Sequence, residues 1–244
     1  TTCIPASTIN SPDVSLYDHL RMTAALAVCL YDVRQSEEKP ENPFLLIGAD
    51  LSGIQSYIYQ VVSKYAGKNL KGRSFYLRIL SDSIVRFLLK ELGLFQANVV
   101  YNSGGGFYMI APDTTATKAR LEKAVKKIEQ QLFKIHGTAL FVAIDSVPVS
   151  KDALIHANGE NLQKVWKELF EKREQKKCAK FASQIEEHYE AFFMSIEHDD
   201  TVGRDVVTGE DFLPGEKYVS EGELKPLKQI TKDQIVLGRV LRES

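Results

Sequence analysis

The chain has 244 residues, which at about 150 residues per domain makes one or two domains. It is 44% hydrophobic and 26% charged, enough apolar material to fill a core, and that excludes a disordered chain. Its 31 Lys and Arg against 32 Asp and Glu leave a net charge of -1, which excludes a globally basic nucleic-acid binder but leaves room for a local basic patch.

Ser15 to Tyr31 reads as a helix, with Leu16, Leu20, Ala24, Ala27, Leu30 and Tyr31 recurring at helical spacing and Asp13 or Ser15 as its cap. The polar stretch Arg34 to Pro43 reads as a linker, so residues 1–33 are expected to belong to something preceding the main domain. Phe44 to Leu51 reads as a buried strand, Ser52-Gly53 as a turn and Ile54 to Lys64 as a short helix. Tyr65 to Arg73 reads as a loop with Gly67, Gly72 and the cations Lys64, Lys68, Lys71 and Arg73. Ser74 is expected to cap an amphipathic helix, with Leu77, Leu80, Ile84, Leu88 and Leu92 on one face and Gly93 at its end. Asn98 to Ser103 and Phe107 to Ala111 read as strands joined by Gly104-Gly105-Gly106, a turn suited to positive φ. A helix capped by Asp113 or Thr114 runs to His136, and Ala139 to Asp145 is a fourth strand. Lys151 to Ser195 reads as helical with a break at Asn158-Gly159, and 196–233 as polar and turn-rich.

The order β-α-β-β-α-β predicts an α+β, ferredoxin-like fold: a four-stranded antiparallel sheet with helices on one face. The strands are apolar at nearly every position, so the other face needs a cover, either the helices of 151–195 or a second domain of the same kind. Left bare, it would drive self-association. The longest apolar runs are far short of the roughly 20 residues of a membrane helix. Cys3, Cys29 and Cys178 fit a reducing cytoplasm, with neither a disulfide framework nor a four-cysteine zinc site. Thr1 to Pro12 has no apolar signal core and no initiator Met, and 234–241 reads as an element barely started. Both ends therefore suggest a piece of a longer protein.

Two places could carry chemistry. The first strand ends in Gly48-Ala49-Asp50-Leu51-Ser52-Gly53-Ile54-Gln55-Ser56, where a helix start offers free N–H groups to phosphate. Nucleotide-polymerising palms hold two metal ions with several carboxylates at the first strand end and hairpin tip. Here Asp50 faces a hairpin with Gly106 and Phe107 in place of acids, so the hairpin is either a plain tight turn or a palm without its acids. The loop Lys68 to Ser74 adds cations, although a solvated basic loop has the same composition.

The run Gly48 to Tyr59 (GADLSGIQSYIY), followed by Leu70-Lys71-Gly72-Arg73-Ser74-Phe75-Tyr76-Leu77, resembles the first palm domain of the large subunit of type III CRISPR effector complexes, in particular the Csm subtype (III-A). Asn102-Ser103-Gly104-Gly105-Gly106-Phe107 shares that resemblance. Ile4-Pro5-Ala6-Ser7-Thr8 and Val14 to Leu20 resemble the last helix of the family's HD nuclease domain. The resemblance implies a parent protein that makes cyclic oligoadenylate from ATP with Mg or Mn, using a Gly-Gly-Asp-Asp hairpin on a second palm when a matching target RNA is held. This chain has no such hairpin, so it is expected to be the inactive first palm, lending a wall to the nucleotide pocket and binding no cofactor tightly by itself.

The domains implied are the HD-domain tail (1–33), a linker (34–43), the degenerate palm (44–148), a helical extension (149–195) and an irregular segment (196–244) leading to the second palm. The expected nucleotide contacts are Asp50, Ser52, Gly53, Gln55, Lys71, Arg73, Ser74, Gly104, Gly105 and Gly106, with no catalytic residue and no metal ligand. Arg73 is the foremost, because a guanidinium grips phosphate with two parallel hydrogen bonds. Expected partners are the other effector subunits, guide and target RNA, and the second palm, in the cytoplasm and without a membrane. A purely structural scaffold contacting guide RNA and neighbouring subunits is the alternative.

Two departures stand out. Asp205 and Thr208 stand where the family often has zinc-binding cysteines, so 204–210 is expected to fold through ordinary turns. Asp18-His19 reads as a helix-capping acid and a surface histidine rather than a remnant metal site. His136, His156, His188 and His198 lack ligand spacing, Trp166 reads as a core anchor, and Lys167 to Lys180 as a solvated helix face.

Overall fold

The computed structural model describes residues 2–7, 9, 12–61, 66–187, 189–193, 203–212 and 215–243. Expectations placed on Thr8, Lys64, Tyr65, His188, Ser195 and His198, and on the Lys68 side chain, lie outside the described residues. The chain divides into two compact units, one from 1–52, 81–135 and 141–180, the other from 53–80, 136–140 and 181–244.

The first unit is α+β. Strands β1 (Phe44–Ser52), β2 (Val99–Ser103), β3 (Gly106–Pro112) and β4 (Phe141–Val149) form an antiparallel sheet in the order β2-β3-β1-β4. Phe44, Leu46, Ile110, Val147 and Val149 share one buried face with Ala25 and Cys29 of α1 (Leu16–Gln35), Ala153 of α5 (Lys151–Ile155) and Leu169 of α6 (Leu162–Cys178). Burial pushes the Cys29 thiol up to about 12, so it is a core group rather than a nucleophile. The alternate residues Leu45, Ile47, Ala49, Met109 and Ile144 point to the other face and are buried as well. The remaining buried rows of the unit belong to α3 (Ala66–Leu92), with Ile84 and Leu88, and to α4 (Thr115–His136), with Leu121, Ala124 and Ile128. Thr114 caps α4 by accepting from Thr117 N at 3.1 Å, and Ser15 caps α1 by accepting from Asp18 N at 3.0 Å.

The chain's own helices therefore cover the sheet face that could have been left bare. One of them is α1, expected to precede the domain. Its sequence stripe pointed the wrong way: Leu20 and Tyr31 are exposed, while the small residues Ala25 and Cys29 allow the close packing. Trp166 is not a fully buried anchor either. It is 37% exposed and stands edge-on to Tyr108 at 4.6 Å.

The second unit holds α2 (Ile54–Tyr59), the N-terminal part of α3, α7 (Ala182–Glu187), α8 (Tyr189–Phe193), a hairpin of β5 (Val219–Glu221) and β6 (Leu224–Leu227), and α9 (Gln229–Glu243). Two expectations are corrected here. The stretch expected as a loop to Arg73 is helical from Ala66, so Ser74 lies inside α3 and caps nothing. The segment expected to be irregular contains a hairpin and a 15-residue helix, whose Ile235 packs with Val207 and Leu227. No helix among the described residues is long and apolar enough to cross a membrane.

Candidate functional site

At the hairpin end of the sheet, Gly104 and Gly105 have φ of 62° and 85°. A two-residue turn of this hand needs positive φ at both positions, which glycine adopts without steric cost. Asp50 pairs in register with Gly106, and Leu51 N donates to Gly105 O at 2.9 Å, so the turn is held against the end of β1. The Asp50 carboxylate forms an ion pair with Lys177 of α6, which also reaches Glu174 Oε1 at 2.6 Å. Burial works against the Lys177 charge, but the hydrogen bonds and charges of Asp50 and Glu174 outweigh it and hold the ammonium above its usual range.

One turn earlier on α6, Arg173 places its guanidinium 5.1 Å from the Tyr108 ring centroid and donates to Ala49 O at 3.2 Å. On the other side of β2, Asn102 donates to Asp82 Oδ1 at 2.7 Å and accepts from Ser81 Oγ at 3.0 Å. Sequence reasoning missed the α6 supports, because Arg173 and Lys177 are about 70 residues removed from the hairpin motif and the α6 lysines read as a solvated face.

The expected nucleotide contacts are divided. Asp50, Ser52 and Gly104–Gly106 belong to the first unit, and Gly53, Gln55, Lys71, Arg73 and Ser74 to the second. In the second unit, Gln55 and Ser74 are exposed on α2 and α3. Arg73 has a different environment from the one expected. It is 2% exposed, donates to Tyr57 O from Nε at 2.9 Å and from Nη2 at 2.5 Å, and reaches Gln234 Oε1 from Nη1 at 3.3 Å. Its guanidinium also lies 4.2 Å from the Tyr57 ring centroid, and burial pulls its pKa below the ordinary value. Both arms of the fork that would grip phosphate are occupied inside the unit.

Lys71 is likewise engaged, donating from Nζ to Leu241 O near the end of α9 at 2.6 Å. Between them Gly72 faces α9 so closely that a β-carbon there would meet Gln234 O at 2.0 Å. Lys71-Gly72-Arg73 thus docks α9 onto α3. Around it, Gln234 Nε2 donates to Tyr57 Oη at 2.5 Å, and Tyr76 Oη and His136 Nε2 are 3.0 Å apart. Burial lowers His136 to about 4 and raises Tyr76 to about 12, so both are neutral near pH 7.

The segment 204–210 is organised around Asp205, which is 1% exposed. Its Oδ1 accepts from Val207 N and Thr208 N, both at 2.9 Å, and its Oδ2 from Lys228 N at 2.7 Å. One carboxylate gathers two strands of chain, the geometric task a metal ion performs in a knuckle of this length. Asp18 stands in the first turn of α1 but is not its cap: Ser15 is, and the Asp18 carboxylate accepts from Ser15 Oγ at 2.7 Å and pairs with Arg21 at 3.1 Å. Among the described residues, no three His, Cys, Asp or Glu are grouped to hold a metal ion. At the hairpin the donor set does not fit a metal pair, because Asp50 pairs with Gly106 rather than with a second acid and the Lys177 ammonium already bridges the Asp50 and Glu174 carboxylates.

The family described as "Csm1 subunit domain B" matches residues 43–194. The CRISPR system single-strand-specific deoxyribonuclease Cas10/Csm1 (subtype III-A) of Methanocaldococcus jannaschii is 31% identical over 92% of this chain and 33% of its own. Its counterpart from Thermococcus onnurineus is 38% identical over 66% of this chain and 22% of its own. Among solved structures, a Csm1-Csm4 cassette in complex with pppApApA superposes with a TM-score of 0.68 at 31% identity, covering 93% of this chain and 35% of that one. The cassette in complex with one ATP gives 0.67 at 28% identity, covering 93% and 36%. The chain spans about a third or less of the length of these relatives.

Proposed function

The chain belongs to the Csm1 family of type III-A CRISPR systems, and from that premise we propose that it is the non-catalytic first palm of an effector large subunit, presenting a glycine hairpin to a nucleotide. The strand order β2-β3-β1-β4 supports a ferredoxin-like palm. The observation that carries the reading is the pairing of Asp50 with Gly106, with Lys177 on the Asp50 carboxylate. A palm that polymerises nucleotides needs carboxylates at both places to hold metal, whereas this one offers backbone and an internally neutralised acid. Gly104 and Gly105 leave the turn without side chains, so a nucleotide can approach main-chain N–H groups. The related cassettes solved with ATP and oligoadenylates support nucleotide as the ligand class. In the longer protein, a second palm would supply the acids and the metal-dependent synthesis of cyclic oligoadenylate, and Csm4-like subunits, guide RNA and target RNA would be partners in the cytoplasm.

Amide chemical shifts test this. Titration with ATP should move the Gly104–Gly106 amides with a Kd around 1 mM, about 4 kcal/mol, the weak binding of half a pocket. Unmoved hairpin amides at saturating ATP would leave the scaffold reading. One observation favours that second reading: Lys71 and Arg73, expected on phosphate, instead dock α9.

A further inference from the structure

The α4 helix carries six Lys or Arg against two Glu, in a chain whose 31 basic and 32 acidic residues nearly balance. Its buried side is apolar, with Leu121, Ala124, Val125, Ile128 and Leu132, so the cations stand outside. Arg120, Lys123, Lys127 and Lys134 recur at spacings of three, four and seven, an exposed row about 20 Å long at 1.5 Å per residue.

The C-terminal part of α3 lies beside this row. Lys127 Nζ is 3.0 Å from Glu91 Oε2 and 5.9 Å from the Phe87 ring centroid, and Arg120 Nη1 is 4.0 Å from where a β-carbon on Gly93 would sit. α3 adds Arg86 and Lys90, exposed one turn apart. Nearby acids are largely engaged: Glu91 by Lys127, Asp113 by Lys118 at 2.6 Å, and Asp82 by Asn102. Arg86, Lys90, Arg120, Lys123 and Lys134 form no ion pair among the described residues. Glu122, two residues after Arg120, falls on another side of α4 and does not interrupt the row.

We propose that this face of α3 and α4 is a docking surface for the phosphate backbone of a single nucleic-acid strand. Charge complementarity identifies the occupant, because uncompensated cations on two adjacent helices attract a polyanion and release its counterions. Phe87 and Phe133 of these helices are only partly exposed, so no open aromatic platform stacks bases and the contact reads backbone, not sequence. This surface does not depend on the hairpin or on nucleotide binding.

The test is fluorescence anisotropy of the complete chain with a labelled single-stranded RNA of about 20 nucleotides, between about 50 and 200 mM salt. A log–log salt slope near -3 is expected, from about 0.7 per neutralised phosphate. The triple variant Lys90→Gln, Arg120→Gln, Lys123→Gln should bind at least about tenfold more weakly, with the slope shallower by about 2. The control variant Lys151→Gln, Lys217→Gln, Lys225→Gln removes three exposed lysines elsewhere and should bind as the parent does. Single-stranded DNA of the same sequence should bind equally. Four results would each overturn the proposal: no binding by the parent chain, equal loss in the control variant, an unchanged slope in the triple variant, or displacement by an acidic peptide as readily as by RNA.

Discussion

Asp205 and His136 show how single buried polar groups set the behaviour of the second unit. Asp205 accepts three backbone N–H bonds while almost fully buried, so Asp205→Ala leaves three donors unpaired. A loss of at least about 3 kcal/mol is expected by urea denaturation, since hydrogen bonds to a charged acceptor contribute about 1.5–3 kcal/mol each. Asp205→Asn should fail nearly as badly, because its amide nitrogen would face a donor at Lys228 N or at Val207 N and Thr208 N. His136 gives the pH dependence. Burial lowers it from 6.5 to about 4, so the folded state binds fewer protons than the unfolded chain between those values. Its contribution to stability is fully present above about pH 6.5, declines as pH falls, and is gone below about pH 4. Thermal melts should therefore show a falling midpoint from pH 7 to pH 5, and His136→Gln should flatten that dependence. A parent midpoint unchanged over this range would remove His136 as the titrating group. Neither effect was legible in the sequence: Asp205 was visible only as a departure from a cysteine pattern, and His136 only as a helix end.

Among the elements whose sequence misled, α3 has the plainest physical reason. Gly67, Gly72 and four cations read as a loop, since glycine disfavours helix by about 1 kcal/mol. Tertiary contact overrides that propensity, because Gly72 is the point where α9 crosses and no side chain fits there. Gly72→Ala should displace α9, at about 1–3 kcal/mol of overpacking, and hydrogen exchange should quicken across 229–243. Unchanged protection of α9 would show that the crossing tolerates a methyl group. Arg73→Lys keeps the charge but loses the fork on Tyr57 O and should lower stability by about 1–2 kcal/mol, a loss that added ATP should not reverse. By contrast, β1, the glycine hairpin and α4 were legible, because each has a local signal: a continuous apolar run, adjacent glycines, and an amphipathic repeat behind a Thr cap. The supports of the hairpin were not, since Lys177 and Arg173 meet it only through the long-range packing of α6 on the sheet.

For the molecule as a whole, the question is what keeps a strongly apolar sheet from pairing with another copy. Its faces are buried by the chain's own residues, so face-to-face association has no apolar surface to drive it. The edges remain, and an open strand edge is a template for pairing. At the β4 edge, Lys172 Nζ donates to Ser146 O at 3.2 Å and Lys176 Nζ to Ile144 O at 2.6 Å, one α6 turn apart along alternate carbonyls of the strand. At the β2 edge, Arg21 Nη2 donates to Val100 O at 3.3 Å. Cations on the outward carbonyls satisfy those acceptors and bring a charge that a second strand would have to bury, so the edges repel copies as well as occupy them. Light scattering should therefore show a monomer across a wide range of protein concentration. The double variant Lys172→Ala, Lys176→Ala frees both β4 carbonyls while leaving the buried Leu169 contact intact, and it should associate as concentration rises. Added salt should promote that association by screening the charges that remain. A parent chain that dimerises would show that another surface governs assembly, and a double variant that stays monomeric would mean the lysines are not what guards the edge.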